Sequence, residues 1–177
     1  MASKWDLPFN RRPDLDVDDL EATWIELLPP ASKSILVGAI YRPPSDNSFI
    51  SKLESSLSKV PVSSELYLLG DFNIDLLCRN SSLGSKYSEV LDTYGCDQLI
   101  SVPTRITPLS STLIDHVVTN MRSLVQKSGV IIGGFSDHLI TFCSRGMPKD
   151  LNGGSSNFKT VRSFKSYSKE VFNAELS

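Results

Sequence analysis

The chain has 177 residues, 40% hydrophobic and 21% charged, with 18 basic against 20 acidic side chains. That length suits one domain, with or without a tail, and the apolar share is enough for a core, which excludes wholesale disorder. A net charge of −2 argues against nucleic-acid binding by bulk charge alone, while leaving room for a local basic rim. Ala22 to Leu28 reads as a strand stopped by Pro29-Pro30, with nothing upstream to pair with it. Ser34 to Tyr41 (SILVGAIY) is a nearly continuous apolar run, the pattern of a strand buried on both faces, and Pro43-Pro44 ends it. Phe49, Ile50, Leu53, Leu57 and Val60 recur at helical spacing, with Ser45 to Asn47 available as a cap. Glu65 to Leu69 predicts another buried strand and Gly70 a turn. Tyr87, Val90, Leu91 and Tyr94 mark a second helix, closed by Gly95. Short strands are expected near Gln98–Val102, Thr112–Val118, Gly129–Ile132 and His138–Cys143. The order predicts a mixed α/β chain with helices outside its sheets.

Charge is uneven along the chain. Residues 1–150 hold 14 basic and 18 acidic side chains, and residues 151–177 hold four and two. Seven acids in the first 26 residues read as a solvated loop or strand edge. The stretch MPKDLNGGSSN reads as a linker before a basic, mildly amphipathic end. The expected division is therefore a domain over 1–146 and a flexible linker with tail over 147–177, with early proteolysis in the linker. The longest apolar runs are about seven residues, too short to span a bilayer. MASKWDLPFNRR shows no apolar leader segment. Cys78, Cys96 and Cys143 form no C-x-x-C pair, which argues against a zinc site or a disulfide scaffold. These features suggest an intracellular protein, nuclear or cytoplasmic, with no membrane partner.

Chemistry-bearing residues fall at strand ends. Asp71 and Asn73, in Gly-Asp-Phe-Asn, can aim into one cleft to hold a metal, a water or a phosphate oxygen. The plainer alternative is an Asx-turn closing on its own backbone. Asp115-His116 interrupts an apolar strand, and Ser136-Asp137-His138 opens the next. The chain has two histidines, each preceded by an aspartate, and His–Asp pairing is how a general base is oriented. The alternative for each is a satisfied strand-end residue. Tyr41 and Arg42 end a strand where they could meet a phosphate. Arg105, in Pro-Thr-Arg, could do the same or simply be solvated.

The order of these pieces is more specific than any one of them. IYRPPS, LLGDFN, PTRITP, STLIDHVVTN and SDH, over about residues 7–172, resemble the endonuclease/exonuclease/phosphatase superfamily. Their wording is most similar to the endonuclease domain of non-LTR, LINE-type retrotransposons, which precedes a reverse transcriptase. The resemblance implies a four-layer α/β sandwich, two β-sheets flanked by helices, and divalent-metal-dependent hydrolysis of a DNA phosphodiester. It implies that Tyr41 contacts the scissile phosphate, Asp71 orients or deprotonates the attacking water, and Asn73 bonds a phosphate oxygen. It places His138, held by Asp115, on the phosphate or nucleophile, and Asp137 with Asp71 near Mg2+ or Mn2+. Arg42, Arg105, Ser111 and Thr112 would lie on the DNA-facing rim. A reverse transcriptase on a longer polyprotein is the implied partner, besides DNA. The resemblance also implies upstream strands carrying an asparagine and a metal-ligand glutamate. Glu21 and Glu26 do not match that glutamate, so the expectation is a truncated, weakly active copy. Two other readings stand: a phosphoesterase of the same superfamily acting on a phospholipid, inositol phosphate or RNA, and a non-catalytic remnant used as an interaction module.

Overall fold

A computed structural model describes residues 7–146 apart from 31, 79, 134 and 135; the expected linker and tail lie outside the described residues. The strands are β1 (Phe9–Arg11), β2 (Ala22–Leu27), β3 (Ile35–Tyr41), β4 (Glu65–Asp71), β5 (Asp97–Gln98), β6 (Arg105–Ile106), β7 (Ser111–Thr112), β8 (Asp115–Thr119), β9 (Val125–Ile131) and β10 (Ile140–Arg145). The helices are α1 (Phe49–Leu57) and α2 (Ser82–Thr93). Six strands form one mixed sheet in the order β1-β2-β3-β4-β8-β5, and β9 pairs with β10, and β6 with β7, in two-stranded sheets. The pair β3–β4 is parallel and joined through α1; the other pairs in the main sheet are antiparallel.

Strand alternation sorts the side chains into two faces. Leu36 and Ile40 of β3, Leu66 and Leu68 of β4, and Val118 of β8 meet the helices in one core with Trp24, Phe49, Leu53, Leu57, Tyr87 and Leu91. Gly38 is required opposite Trp24, since a Cβ there would lie 2.8 Å from the indole ring. On the other face Leu69 and Val117 pack with Ile100, Leu113, Val130 and Cys143, which seats the β9–β10 hairpin on the sheet. The result is an α/β sandwich with helices on one face and a hairpin on the other. No helix among the described residues is long and apolar enough to cross a membrane.

Several expectations need correction. The strand at Ala22 does have an upstream partner: Phe9–Arg11 pairs antiparallel with Ile25–Leu27. Three residues without a buried side chain carry no readable period. The acidic stretch that follows is partly paired, Arg11 with Asp16 and Arg12 with Asp14. Gly70 does not begin a turn but continues β4. The strand expected at 98–102 stops at Gln98, whose side-chain amide caps both the N–H and the carbonyl of Ile100. The run 112–118 is broken between β7 and β8 because side chains take its amides: Asp75 accepts from Leu113, and Thr104 Oγ1 from Ile114 and Asp115.

His116 lies in this core. Its Nε2–H donates to the carbonyls of Ile74 (3.1 Å) and Leu113 (3.2 Å), Nδ1 accepts from the Tyr87 hydroxyl, and the ring stacks on Phe72 at 4.9 Å. Of the two Asp-His pairs, this one is the satisfied core residue. Burial lowers its pKa to about 4 from the ordinary imidazole value of 6.5. The unfolded chain therefore binds this proton first. The contribution to stability is complete above pH 6.5 and declines as pH falls toward 4, by about 3 kcal/mol. Urea midpoints at pH 7 and pH 4.5 check this, and His116→Gln should flatten the slope in that window.

Candidate active site

The register of three strands builds the site. Tyr41 of β3 lies opposite Asp71 of β4, and Asp71 lies opposite Asp115 of β8. Cross-strand partners project to the same face, so the three side chains form a row at one end of the sheet. Asp71, Asp115 and His138 offer ligand atoms that all lie within 4.8 Å of one another. His138 Nδ1 is 3.1 Å from both oxygens of Asp115, which sets that nitrogen as the donor and leaves Nε2 to accept a proton.

The Gly-Asp-Phe-Asn segment owes its shape to local constraints. Gly70 has φ +149°, and a Cβ on it would stand 1.7 Å from the Ile40 carbonyl oxygen, so only glycine lets β3 and β4 close up beside Asp71. Phe72 buries its ring against Phe49, Tyr87 and His116. Asn73 takes the left-handed conformation (φ +46°), and its N–H donates to Asp71 Oδ1 at 3.0 Å. The Asx-turn therefore forms and coexists with the cluster. The Asn73 side-chain amide donates to the Arg42 carbonyl at 2.8 Å.

Burial pushes the Asp71 carboxyl up, and the neighbouring Asp115 adds to the shift; the Asn73 N–H, His138 and Arg105 oppose it. Two carboxylates crowded on adjacent strands repel each other, and a divalent cation between them would relieve that repulsion. The donor set of carboxylate oxygens suits a hard cation such as Mg2+ or Mn2+.

Asp137 is not in that cluster. Its carboxylate is held by Arg105 Nε at 2.7 Å, and this bond is the main cause of its lowered pKa. Among the described residues the atoms able to hold a cation are therefore grouped on Asp71, Asp115 and His138, and the expected partner Asp137 lies outside that group. Arg42 is the other correction. It is 3% exposed, and its guanidinium donates to three backbone carbonyls, so it does not lie on the rim. Arg105 pairs with Thr112 and Ile106 with Ser111 in the β6–β7 sheet, and Arg105 also bridges to His138. Arg105, Ser111 and Thr112 therefore sit in one small sheet beside the Ser136–His138 segment.

Thr104 escaped the sequence reading. Fully buried, it donates its N–H to Thr112, accepts the Leu139 N–H at its carbonyl, and fixes Asp115 through Oγ1. Its signal in the sequence is Pro-Thr-Arg, a small hydroxyl residue beside the more conspicuous arginine. Asp75 is similar, binding the N–H groups of Leu77 and Leu113.

No protein-family model matches the chain, and no curated protein matches it in sequence. Solved structures do resemble it. The endonuclease domain of TRAS1, a telomere-specific non-LTR retrotransposon, superposes with a TM-score of 0.64 at 19% identity, covering 76% of this chain and 64% of that one. An endonuclease/exonuclease/phosphatase family protein from Leptotrichia buccalis gives 0.55 at 17%, covering 71% and 53%. One from Beutenbergia cavernae gives 0.51 at 18%, covering 68% and 37%. The chain thus spans less than two thirds of the length of each. The fold is the α/β sandwich of the endonuclease/exonuclease/phosphatase type.

Proposed function

We propose that this chain is a metal-dependent phosphodiesterase domain acting on DNA, of the non-LTR retrotransposon endonuclease kind. The observation that carries the reading is the convergence of Asp71, Asp115 and His138 at one sheet end, in a row with Tyr41. A divalent cation held by Asp71 and Asp115 would supply charge stabilisation for the phosphoryl oxygens. The protein's own part begins with His138. Asp115 orients its imidazole and stabilises the imidazolium form, so Nε2 can take a proton from an attacking water or bond a phosphoryl oxygen. Asp71 orients the water, and Tyr41, 43% exposed, reaches the phosphate. Asn73 keeps one amide proton for a phosphoryl oxygen after serving the Arg42 carbonyl. A reverse transcriptase on the same polyprotein, and a linker over 147–177 leading to it, belong to this proposal.

The test is nicking of supercoiled plasmid with Mg2+, with Mn2+ and with chelator. Activity confined to phospholipids, inositol phosphates or RNA would move the reading to another phosphoesterase, and none on any substrate would favour an interaction module. DNA binding is expected to be weak and salt-sensitive, because the described domain is net acidic and Arg105 already serves Asp137. Neutralising about two phosphates gives about a tenfold loss of affinity between 50 and 200 mM salt. Fluorescence anisotropy at the two salt levels reads it, and tight binding at 200 mM would contradict it.

A further inference from the structure

Arg42 has no role in the steps above, yet it is a buried guanidinium next to the site. Nη1 donates to the Asn73 carbonyl at 3.1 Å, and Nη2 to the carbonyls of Asp46 (2.9 Å) and Pro44 (3.2 Å). Nε is buried and finds no partner among the described residues. The guanidinium lies 5.9 Å from the Phe49 ring centroid, over its face. Burying a charge on neutral acceptors is costly, so the geometry must return something.

The return is visible in the bonds between two segments 31 residues apart. Arg42 N–H donates to the Asp71 carbonyl at 2.9 Å. Asn73 Nδ2 donates to the Arg42 carbonyl, and Arg42 Nη1 donates to the Asn73 carbonyl. Each residue's side chain therefore binds the other's main chain. Asn73 N–H in turn closes on Asp71 Oδ1. The clasp joins the segment that carries Tyr41 to the one that carries Asp71 and Asn73, and it holds Asn73 in its left-handed conformation. Its other two bonds tie both to the loop before α1.

We infer that Arg42 is a positioning residue: the reciprocal Arg42–Asn73 clasp sets the orientation of the Asp71 carboxylate and the Asn73 amide relative to Tyr41. Lysine cannot replace it, because one ammonium cannot span three carbonyls on two segments in the planar fork that arginine provides. The catalytic part of this inference rests on the endonuclease reading of the Asp71 cluster; the clasp itself does not.

The experiment compares wild type with Arg42→Lys by hydrogen exchange at the Arg42 and Asn73 amides, and by plasmid nicking across a salt series. Expected are at least about tenfold faster exchange at those two amides with core amides unchanged, and a fall in kcat of about ten- to a hundredfold at unchanged KM, since small misplacement is expensive. The salt dependence of binding should stay the same. A salt slope smaller by about one with exchange unchanged would overturn the inference, making Arg42 a phosphate contact. Unchanged exchange and unchanged kcat would overturn it too. If Arg42→Lys does not fold, Asn73→Ala breaks the clasp from the other side and is read at the Arg42 amide. Failure of both to fold would overturn the positioning role in favour of a global one. If wild type does not nick, the endonuclease reading falls, and exchange alone decides the clasp.

Discussion

His138→Ala is expected to lower plasmid nicking by about 10²–10⁴, the usual contribution of a positioned general acid or base. The imidazole is the one group in the cluster with a free ring nitrogen held in a fixed direction, because Asp115 grips Nδ1 through both oxygens. Asp115→Asn should cost less than His138→Ala, since the ring stays but its orientation and the stabilisation of its charged form weaken. Asp71→Ala removes a carboxylate that faces both the water and the cation, so its loss should be at least about a hundredfold. Single-turnover nicking with saturating Mg2+ separates these effects from DNA binding. Equal rates for wild type and His138→Ala would sink the site assignment. Raising Mg2+ should partly rescue Asp115→Asn if Asp115 is also a ligand. It should not rescue His138→Ala.

The second large effect is on stability. Arg145, on β10, makes a two-pronged ion pair with Glu65 at the start of β4, at 2.6 and 2.7 Å, and also donates to Ser32 Oγ and the Gly146 carbonyl. The side chains are 14% and 5% exposed. This pair fastens the β9–β10 hairpin to the main sheet at the end away from Asp71. Arg145→Met strands the Glu65 carboxylate in a buried place and should cost about 3–5 kcal/mol, whereas replacing both partners with apolar residues should recover much of it. Urea unfolding of Arg145→Met and of the double variant Glu65→Leu/Arg145→Met reads the difference. A loss below about 1 kcal/mol for Arg145→Met would show that the pair behaves as a surface contact. The hairpin presents the segment carrying His138, so the same variant should also loosen the site.

Much of the fold was legible because the informative elements are long and periodic. β3 and β4 read as continuous apolar runs, and α1 and α2 as stripes at helical spacing, since each must bury one or both faces against the others. The short strands were not legible: β1, β5, β6 and β7 have two or three residues each, and their pairing depends on which amides side chains have already taken. Thr104 and Asp75 break the run at 112–118 through bonds that span 10 to 38 residues of sequence, which no local pattern contains.

The site shows the same division. The residue types and their order along the chain, Gly-Asp-x-Asn, Ile-Asp-His and Ser-Asp-His, suffice to nominate carboxylates and a histidine at strand ends, because an ionisable group interrupting an apolar strand must be paired or used. Which of them meet is decided by strand register. That register puts Asp71 opposite Asp115 and sends His116, one residue on, through the sheet into the core. It brings His138 to Asp115 across 23 residues and leaves Asp137 to Arg105. Beside a strand end, Arg42 fits a phosphate-facing rim or open surface equally well, because arginine there is usually exposed. Only the folded chain surrounds it with three carbonyls. Local chemistry is written in the sequence, but distance between segments is set by packing, and partner choice follows distance.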